Sequence, residues 1–360
     1  MLAALLTPPG RGAIAVLHIV GEGSGALVGS LFGRPVAERP RAGTLSSGGE
    51  ILDEVLVRTV EGFTGEETVE ITCHGGKATV ERLLAALALP RAGAEELLER
   101  GVGTGHLDRI RAEAWHLLPG ALTERSAVML HDQAQGALSR AVEALRSAAE
   151  ARRLLDTASL GAALARPRRV VIAGLPNAGK STLFNALVQA DRAIVSPEPG
   201  TTRDPVREWI AIEGVPLELV DTAGVEEPRD PLERMSIDRT HRALEGADLV
   251  LFLWDAQAGP RAEEGRLLDS LRGRRVIVAA NKADAGSSFP PGPALPLAAR
   301  TGQGLADLRR RILQELGAVP GLPEGAPVVF TARQERLLER AVQGGDLDEA
   351  RGRLLRGPRE

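Results

Sequence analysis

Short apolar runs broken by glycine and proline set the rhythm of the first ninety residues. "AIAVLHIV" (13–20) and "TVEITCH" (68–74) are brief and rich in β-branched residues, with Gly or Pro nearby, which predicts strands. "KATVERLLAALAL", after Gly75 and Gly76, spaces its apolar positions as a helix does, so this region reads as mixed α/β. From about Leu107 to Leu155 the pattern changes. Ala, Leu, Arg and Glu dominate, Pro119 and Gly120 make the main interruption, and "AQGALSRAVEALRSAAEARRLL" has helical periodicity. After the basic connector "ALARPRR", the run "VVIAG" (170–174) predicts a buried strand entering a glycine-rich loop. Strand-like runs "LELVD", "LVLFLWD" and "RVIVAANK" then alternate with helical segments as far as about Leu316. That alternation predicts a parallel, doubly wound α/β sheet. "SSFPPGPALP" reads as a loop, and the arginine-bearing segments "TARQERLLERAV" and "LDEARGRLLR" read as helices. No internal repeat is present.

Composition narrows this picture. A chain of 360 residues with 43% hydrophobic positions can bury a sizeable core in two or three domains. Tyrosine is absent and Phe and Trp are few, so that core is built mainly of Ala, Leu and Val. A net charge of −4 gives no global attraction to nucleic acid or anionic lipid, although abundant arginine leaves room for a local basic face. A single cysteine, Cys73, excludes an intrachain disulfide and suits a reducing cytoplasm. The start, "MLAALLTPPGRG", has no basic leader and too short an apolar run for a signal peptide. No apolar run reaches the roughly 18 residues a membrane span needs. The expectation is a cytoplasmic protein without a membrane partner.

Candidate chemistry begins with an anomaly. Of 44 basic residues only Lys77, Lys180 and Lys282 are lysine, and two of these fall inside "GLPNAGKSTLFNAL" and "NKAD". Lysine is a compact point charge and arginine a broad planar fork, so both places demand the former. Gly174, Gly179, Lys180 and Ser181 fit G-x-x-x-x-G-K-[ST], with a strand before and a helix after. Such a loop turns backbone N–H groups onto phosphate oxygens, and the following helix adds its positive end. Asn177, Ala178, Gly179, Lys180, Ser181 and Thr182 are the expected phosphate contacts. Lys180 reaches the β- and γ-phosphates and the Ser181 hydroxyl ligates Mg²⁺. "DTAG" (Asp221, Thr222, Ala223, Gly224) ends an apolar run, with Asp221 placed to hold Mg²⁺ through water and the Gly224 N–H to meet the γ-phosphate. In "NKAD" (281–284), Asp284 can accept from guanine N1–H and N2–H₂, which adenine does not offer in that arrangement, Lys282 can lie along the base and brace the glycine loop, and Asn281 is a further expected nucleotide contact. The base-side loop "LAARTGQG" carries Ala298 and Ala299, so a bracing hydroxyl is absent there while backbone N–H contact to guanine O6 is retained. A polar turn in place of "NKAD", or an exposed lysine on a glycine turn, would be the bland account of each motif alone. Together they predict a GTP-binding domain.

"GTTRD" (200–204) lies between the phosphate loop and "DTAG". With "GLPNAGKST" and "DTAGVEEPRDPLERMSIDR" it resembles the MnmE (TrmE) tRNA-modification GTPases. "TPPGRGAIAVLHIVG" and "GFTGEETVEITCHGG" resemble that family's folate-binding domain, and "GHLDRIRAEA" with "QGALS" its helical domain. The resemblance implies a P-loop GTPase inserted in a helical domain and preceded by a mixed α/β folate-binding-like domain. Its boundaries would be 1–103 (folate-like and dimerising), 104–166 (helical, first part), 167–320 (GTPase) and 321–360 (helical, second part). It also implies GTP hydrolysis with Mg²⁺ and K⁺, homodimerisation, action on the tRNA wobble uridine, and an MnmG-like flavoprotein partner. Val225 stands where Ras-type enzymes carry a water-orienting Gln, and the family's glutamate in the next turn falls on Glu233. A helix-face ion pair is the competing role for Glu233. In place of an arginine finger the family uses K⁺, which falls here on Asn177 with the loop containing Ser196, Gly200 and Thr201. Thr202 falls on the Mg²⁺-ligating threonine.

The match has gaps. Of the family's Arg, Glu and Lys that hold 5-formyl-tetrahydrofolate, the glutamate falls on Glu70 but the two cations on His18 and His106. A neutral imidazole holds a pteridine or a glutamyl tail differently from a fixed charge. Cys73 and His74 are read as a small buried residue and a turn-capping residue rather than a catalytic pair. No cysteine follows Cys73, so the family's terminal Cys-Ile-Gly-Lys motif has no match and both helical segments are short. These departures predict that GTP hydrolysis and tRNA modification are separable, with hydrolysis robust and modification weak or absent. Three readings remain: an MnmE-type enzyme, a K⁺-activated regulatory GTPase of the same ancestry, and a binding module whose GTP-driven dimerisation moves a partner. Ser181, Thr202, Asp221 and Glu233 favour a GTPase over a mere binding module.

Overall fold

The computed structural model describes residues 1–7, 12–191, 206–222, 244–258, 261–286, 288–290, 292–318 and 321–357. They fall into two compact units, one of Met1–Pro119, Ala134–Ala144 and Arg351–Glu360, the other of Gly120–Gln133 and Leu145–Ala350. The helical stretch expected as a single region, 104–166, is shared between the two units.

In the first unit, β1 (Leu2–Leu5), β2 (Ile14–Val20), α1 (Ser24–Phe32), β3 (Arg41–Ser47), β4 (Glu50–Glu61), β5 (Glu67–His74), α2 (Lys77–Leu87), β6 (Arg91–Ala92), α3 (Ala94–Gly103) and α4 (Arg109–Leu117) follow in order. The strands form one sheet in the order β3-β4-β5-β2-β1-β6, antiparallel except for the β1–β6 pair. Alternate residues of a strand face opposite sides. Leu17, Ile19, Val57, Val69 and Ile71 therefore form one apolar cluster with Val28 and Phe32 of α1 and Leu83, Leu84 and Leu87 of α2. The next residues along, His18, Arg58 and Glu70, lie on the other face. The β3–β4 hairpin, whose alternation is broken by charged residues, is left unmarked by apolar periodicity, as are the short β1 and β6.

The helical run breaks into α5 (Glu124–Ala134), α6 (Ala137–Glu143), α7 (Ala148–Leu155) and α8 (Ala158–Ala165). Gly136 adopts φ 89°, and Ser147 accepts from the Glu150 N–H at the start of α7. A left-handed glycine and a side-chain cap each end a periodic stretch that composition alone would continue.

The second unit holds β7 (Arg168–Gly174), α9 (Lys180–Ala190), β8 (Val206–Ile212), β9 (Val215–Asp221), β10 (Leu249–Asp255), α10 (Ala262–Ser270), β11 (Val276–Asn281), β12 (Leu295–Pro296), α11 (Leu305–Glu315) and α12 (Ala332–Val342), with α13 (Leu347–Arg356) after it. Its sheet runs β12-β11-β10-β7-β9-β8. The sheet is α/β and wound as expected, but not wholly parallel: β8 pairs antiparallel with β9 along its full length. The two are joined by a tight turn at Glu213 and Gly214, both at positive φ, so the chain reverses without a crossover helix. β12 lies within the segment expected as a loop. β10 is buried at all seven positions, as a central strand covered on both faces should be.

Candidate nucleotide site

β7 delivers the phosphate loop from the middle of the sheet. Gly174 has φ 147°, and a Cβ there would meet the Leu253 carbonyl oxygen at 2.6 Å. Gly179 has φ 94° and begins α9, where a Cβ would run into the Asn281 side chain. These are the places where glycine is required sterically. Asn177 also adopts φ 64°, a left-handed conformation that Asn tolerates. The Lys180 ammonium lies inside the loop and donates to the carbonyls of Gly174 and Leu175, each at 3.1 Å. Burial lowers its pKa, while the charge of Asp221 opposes that shift.

Ser181, in the first turn of α9, donates to Asp221 Oδ2 at 2.7 Å. Asp221 is the last residue of β9 and is buried. Thr222 donates to the Ile172 carbonyl at 2.9 Å, which ties the start of "DTAG" to β7. A hydroxyl and a carboxylate converging beside a phosphate loop form an oxygen-only donor pair, the chemistry that Mg²⁺ prefers.

The base side lies at the ends of β10 and β11. Asn281 Nδ2 donates to the Ala178 carbonyl at 2.8 Å, and Asn281 Oδ1 accepts from the Ala299 N–H at 3.0 Å. One buried amide thus links the phosphate loop to the "LAAR" loop. Lys282 sits at φ 64° and pairs with Asp255 at 2.6 Å. Asp284 is more open and has Arg300 at 3.5 Å. Gly179, Thr182, Asn281, Lys282, Asp284 and the Ala298–Arg300 loop line a cavity of about 380 Å³. The N–H groups of Ala298 and Ala299 are both engaged, with the Gln303 carbonyl and Asn281 Oδ1. A contact from this loop to guanine O6 therefore needs one of them to be shared.

The remaining nucleotide-site expectations, Ser196, Gly200, Thr201, Thr202, Ala223, Gly224 and Glu233 with Val225, lie outside the described residues.

In the first unit, Glu70 is the centre of a three-strand cluster. Arg58 of β4 donates to Glu70 Oε1 at 2.6 Å, and His18 of β2 lies 3.3 Å from Oε2. Burial pushes the Glu70 carboxyl up, but Arg58 and His18 outweigh it and hold the pKa below the usual value. Burial lowers the pKa of His18, whose buried Nδ1 has no hydrogen-bond partner among the described residues. His106, expected with Glu70 and His18 among the folate-holding residues, lies 3.7 Å from Glu61. The fixed cation on Glu70 is therefore Arg58, which motif reading missed. Its only signal is strand register, since Arg58 stands directly opposite Glu70. Cys73 is buried, with its thiol pushed up to about 11 by burial, which makes it inert. His74 turns its ring to Asp53 at 2.7 Å rather than capping the glycine turn.

The first 100 residues match the family described as GTP-binding protein TrmE N-terminus, and residues 169–282 match the family described as 50S ribosome-binding GTPase. A protein named tRNA modification GTPase MnmE from Synechococcus sp. (strain WH7803) is 36% identical over 367 residues, covering 86% of this chain and 80% of that one. One of the same name from Acidovorax sp. (strain JS42) is 35% identical, covering 98% of this chain and 89% of its own length. One from Symbiobacterium thermophilum is 33% identical, covering 94% and 87%.

Proposed function

Because the chain belongs to the MnmE family and is a GTP-hydrolysing enzyme, we propose that it couples hydrolysis to modification of the tRNA wobble uridine. It does so as a homodimer in the cytoplasm, with an MnmG-like flavoprotein. The observation that carries the GTPase chemistry is the convergence of Lys180 and Ser181, at the start of α9, with Asp221, at the end of β9, on one loop. Among the described residues no helix is long and apolar enough to cross a membrane.

The residues fit Mg²⁺. Ser181 would hold it directly, Asp221 through water, and Thr202 would complete the set. Held there, the ion would supply positive charge that offsets the charge of the phosphates. Lys180 sits with two carbonyls where the phosphates would come, so its ammonium exchanges those acceptors for phosphate oxygens without moving far. Asn281 holds the base loop, and Asp284 reads the guanine edge. K⁺ would lie by Asn177, with Ser196 and Thr201, and Glu233 would orient the attacking water. Glu70, His18 and Arg58 form an acceptor flanked by two nitrogen donors, which fits a pteridine edge such as that of 5-formyl-tetrahydrofolate.

The test uses the purified chain with its own MnmG-like partner, GTP, K⁺, a folate one-carbon donor and unmodified tRNA. Modified wobble uridine is the expected product, against the weak or absent modification that the departures from the family's motifs predict from sequence. Hydrolysis without modification would assign the chain to the second reading, a K⁺-activated regulatory GTPase.

A further inference from the structure

Asp255 ends β10 one strand over from Asn281, and the two are register partners at the ends of their strands. No phosphate or base motif includes it. It is 4% exposed, yet it is an ion-pair partner of the motif lysine, with Oδ2 2.6 Å from Lys282 Nζ. Its other oxygen accepts from the N–H groups of Gln257 and Ala258, at 3.0 and 3.2 Å. Gln257 is itself part of the base-cavity wall. From behind, the buried Glu264 accepts the Asp255 N–H. Both carboxylate oxygens are thus engaged within the protein, and the backbone that carries them is tied to Glu264.

Lys282 has a second carboxylate within its own turn. The Ala285 N–H donates to the Lys282 carbonyl, closing a turn that contains Asp284. Asp284 must keep its oxygens available for guanine N1–H and N2–H₂. A lysine that paired with it would cover the group that reads the base. Desolvation decides between the two. Asp255 is buried and already fixed by two backbone donors, whereas the Asp284 side chain is 26% exposed and loosely met by Arg300. An ion pair gains most where solvent is excluded and the partner is preorganised.

We propose that Asp255 is a positioning residue for guanine recognition: it sequesters the Lys282 ammonium and so keeps the Asp284 carboxylate free to read the base. The inference rests on Asp284 being the guanine reader, as proposed above.

Asp255→Asn tests it with little change of shape, because the amide oxygen still accepts from Gln257 and Ala258 while the charge is gone. Lys282 is then expected to turn to Asp284, and GDP affinity to fall about tenfold, the scale of coupling between residues in one ion-pair network. The same change in an Asp284→Asn protein, titrated with xanthosine diphosphate, should cost less than about twofold, because no carboxylate remains there to be captured. Equal losses in both backgrounds would make Asp255 merely structural and overturn the proposal, as would unchanged GDP affinity in the single variant. Failure of Asp284→Asn to accept xanthosine diphosphate at all would instead remove the premise about Asp284, and the proposal with it. If Asp255→Asn does not fold, Asp255→Asn with Lys282→Gln removes both charges together. That protein should bind GDP as well as Lys282→Gln alone, and a further tenfold loss would overturn the proposal.

Discussion

The nucleotide site and the Glu70 cluster are built on opposite principles. The first gathers loops at the carboxyl ends of parallel strands, where β7, β9, β10 and β11 each deliver a few consecutive residues. Much of its work is done by backbone: glycine positions, a helix start, and carbonyls that hold Lys180. The second lies in the middle of an antiparallel sheet, where single side chains from β2, β4 and β5 meet across the strands. A site made by consecutive residues must write its steric needs into consecutive residues. A site made across strands writes only one residue in each, and any polar residue on an open face looks the same.

The contrast predicts that the nucleotide site tolerates substitution far less than the Glu70 cluster. Lys180→Arg should lower GTP turnover about a thousandfold, the upper scale for a single transition-state contact, because the guanidinium cannot occupy the half-buried space between Gly174 and Leu175. Single-turnover hydrolysis measures it, and retention of a tenth of the rate would break the comparison at its strongest point. Asp284→Asn should weaken GDP binding about a hundredfold and admit xanthosine nucleotides, since an amide donates where the carboxylate only accepted. Titration with both nucleotides reads this directly.

Asn177→Ala should abolish an approximately tenfold preference for K⁺ over Na⁺ in the hydrolysis rate while leaving GDP affinity in place, as expected for a contact that matters in the transition state. Rates in the two salts, before and after the change, decide it.

The smallest effect belongs to the other region. Arg58→Ala should cost about 0.5 kcal/mol of stability near neutral pH, because Arg58 is itself 43% exposed. The sign with pH follows from the direction of the shift. Glu70 is held below its ordinary pKa, so its stabilisation is present above the normal carboxylate range and is lost as pH falls through the lowered value. His18 is also lowered, so acid charges it more readily in the unfolded chain and adds to the same loss. Denaturant melts from pH 7 down through the acid side of the carboxylate range should therefore show wild-type stability falling with acid, and the Arg58→Ala protein falling less steeply.

The phosphate loop, "DTAG" and "NKAD" were legible because the chemistry is local: each needs particular glycines or a lysine at fixed spacing, and a composition so poor in lysine made Lys180 and Lys282 conspicuous. The strands β2, β5, β7, β9, β10 and β11 were legible as apolar runs. The β3–β4 hairpin and β8 were not, because their half-exposed alternation is interrupted by charge and their pairing depends on neighbours. The break of the helical stretch at Gly136 and Ser147 was hidden inside a composition that favours helix throughout.

Residue order by itself determined the wound α/β sheet, the phosphate loop and the "NKAD" turn, since steric and hydrogen-bonding demands within a few residues admit few alternatives. Tertiary structure alone decided which cation faces Glu70 and which carboxylate holds Lys282. Arg58 rather than His106 meets Glu70 because strand register puts it opposite, and Asp255 meets Lys282 because β10 and β11 end side by side. Such pairings join residues 12 and 27 positions apart. Nothing in the intervening chain encodes them. They exist only once the sheet has closed and desolvation has made each charge take the nearest fixed partner.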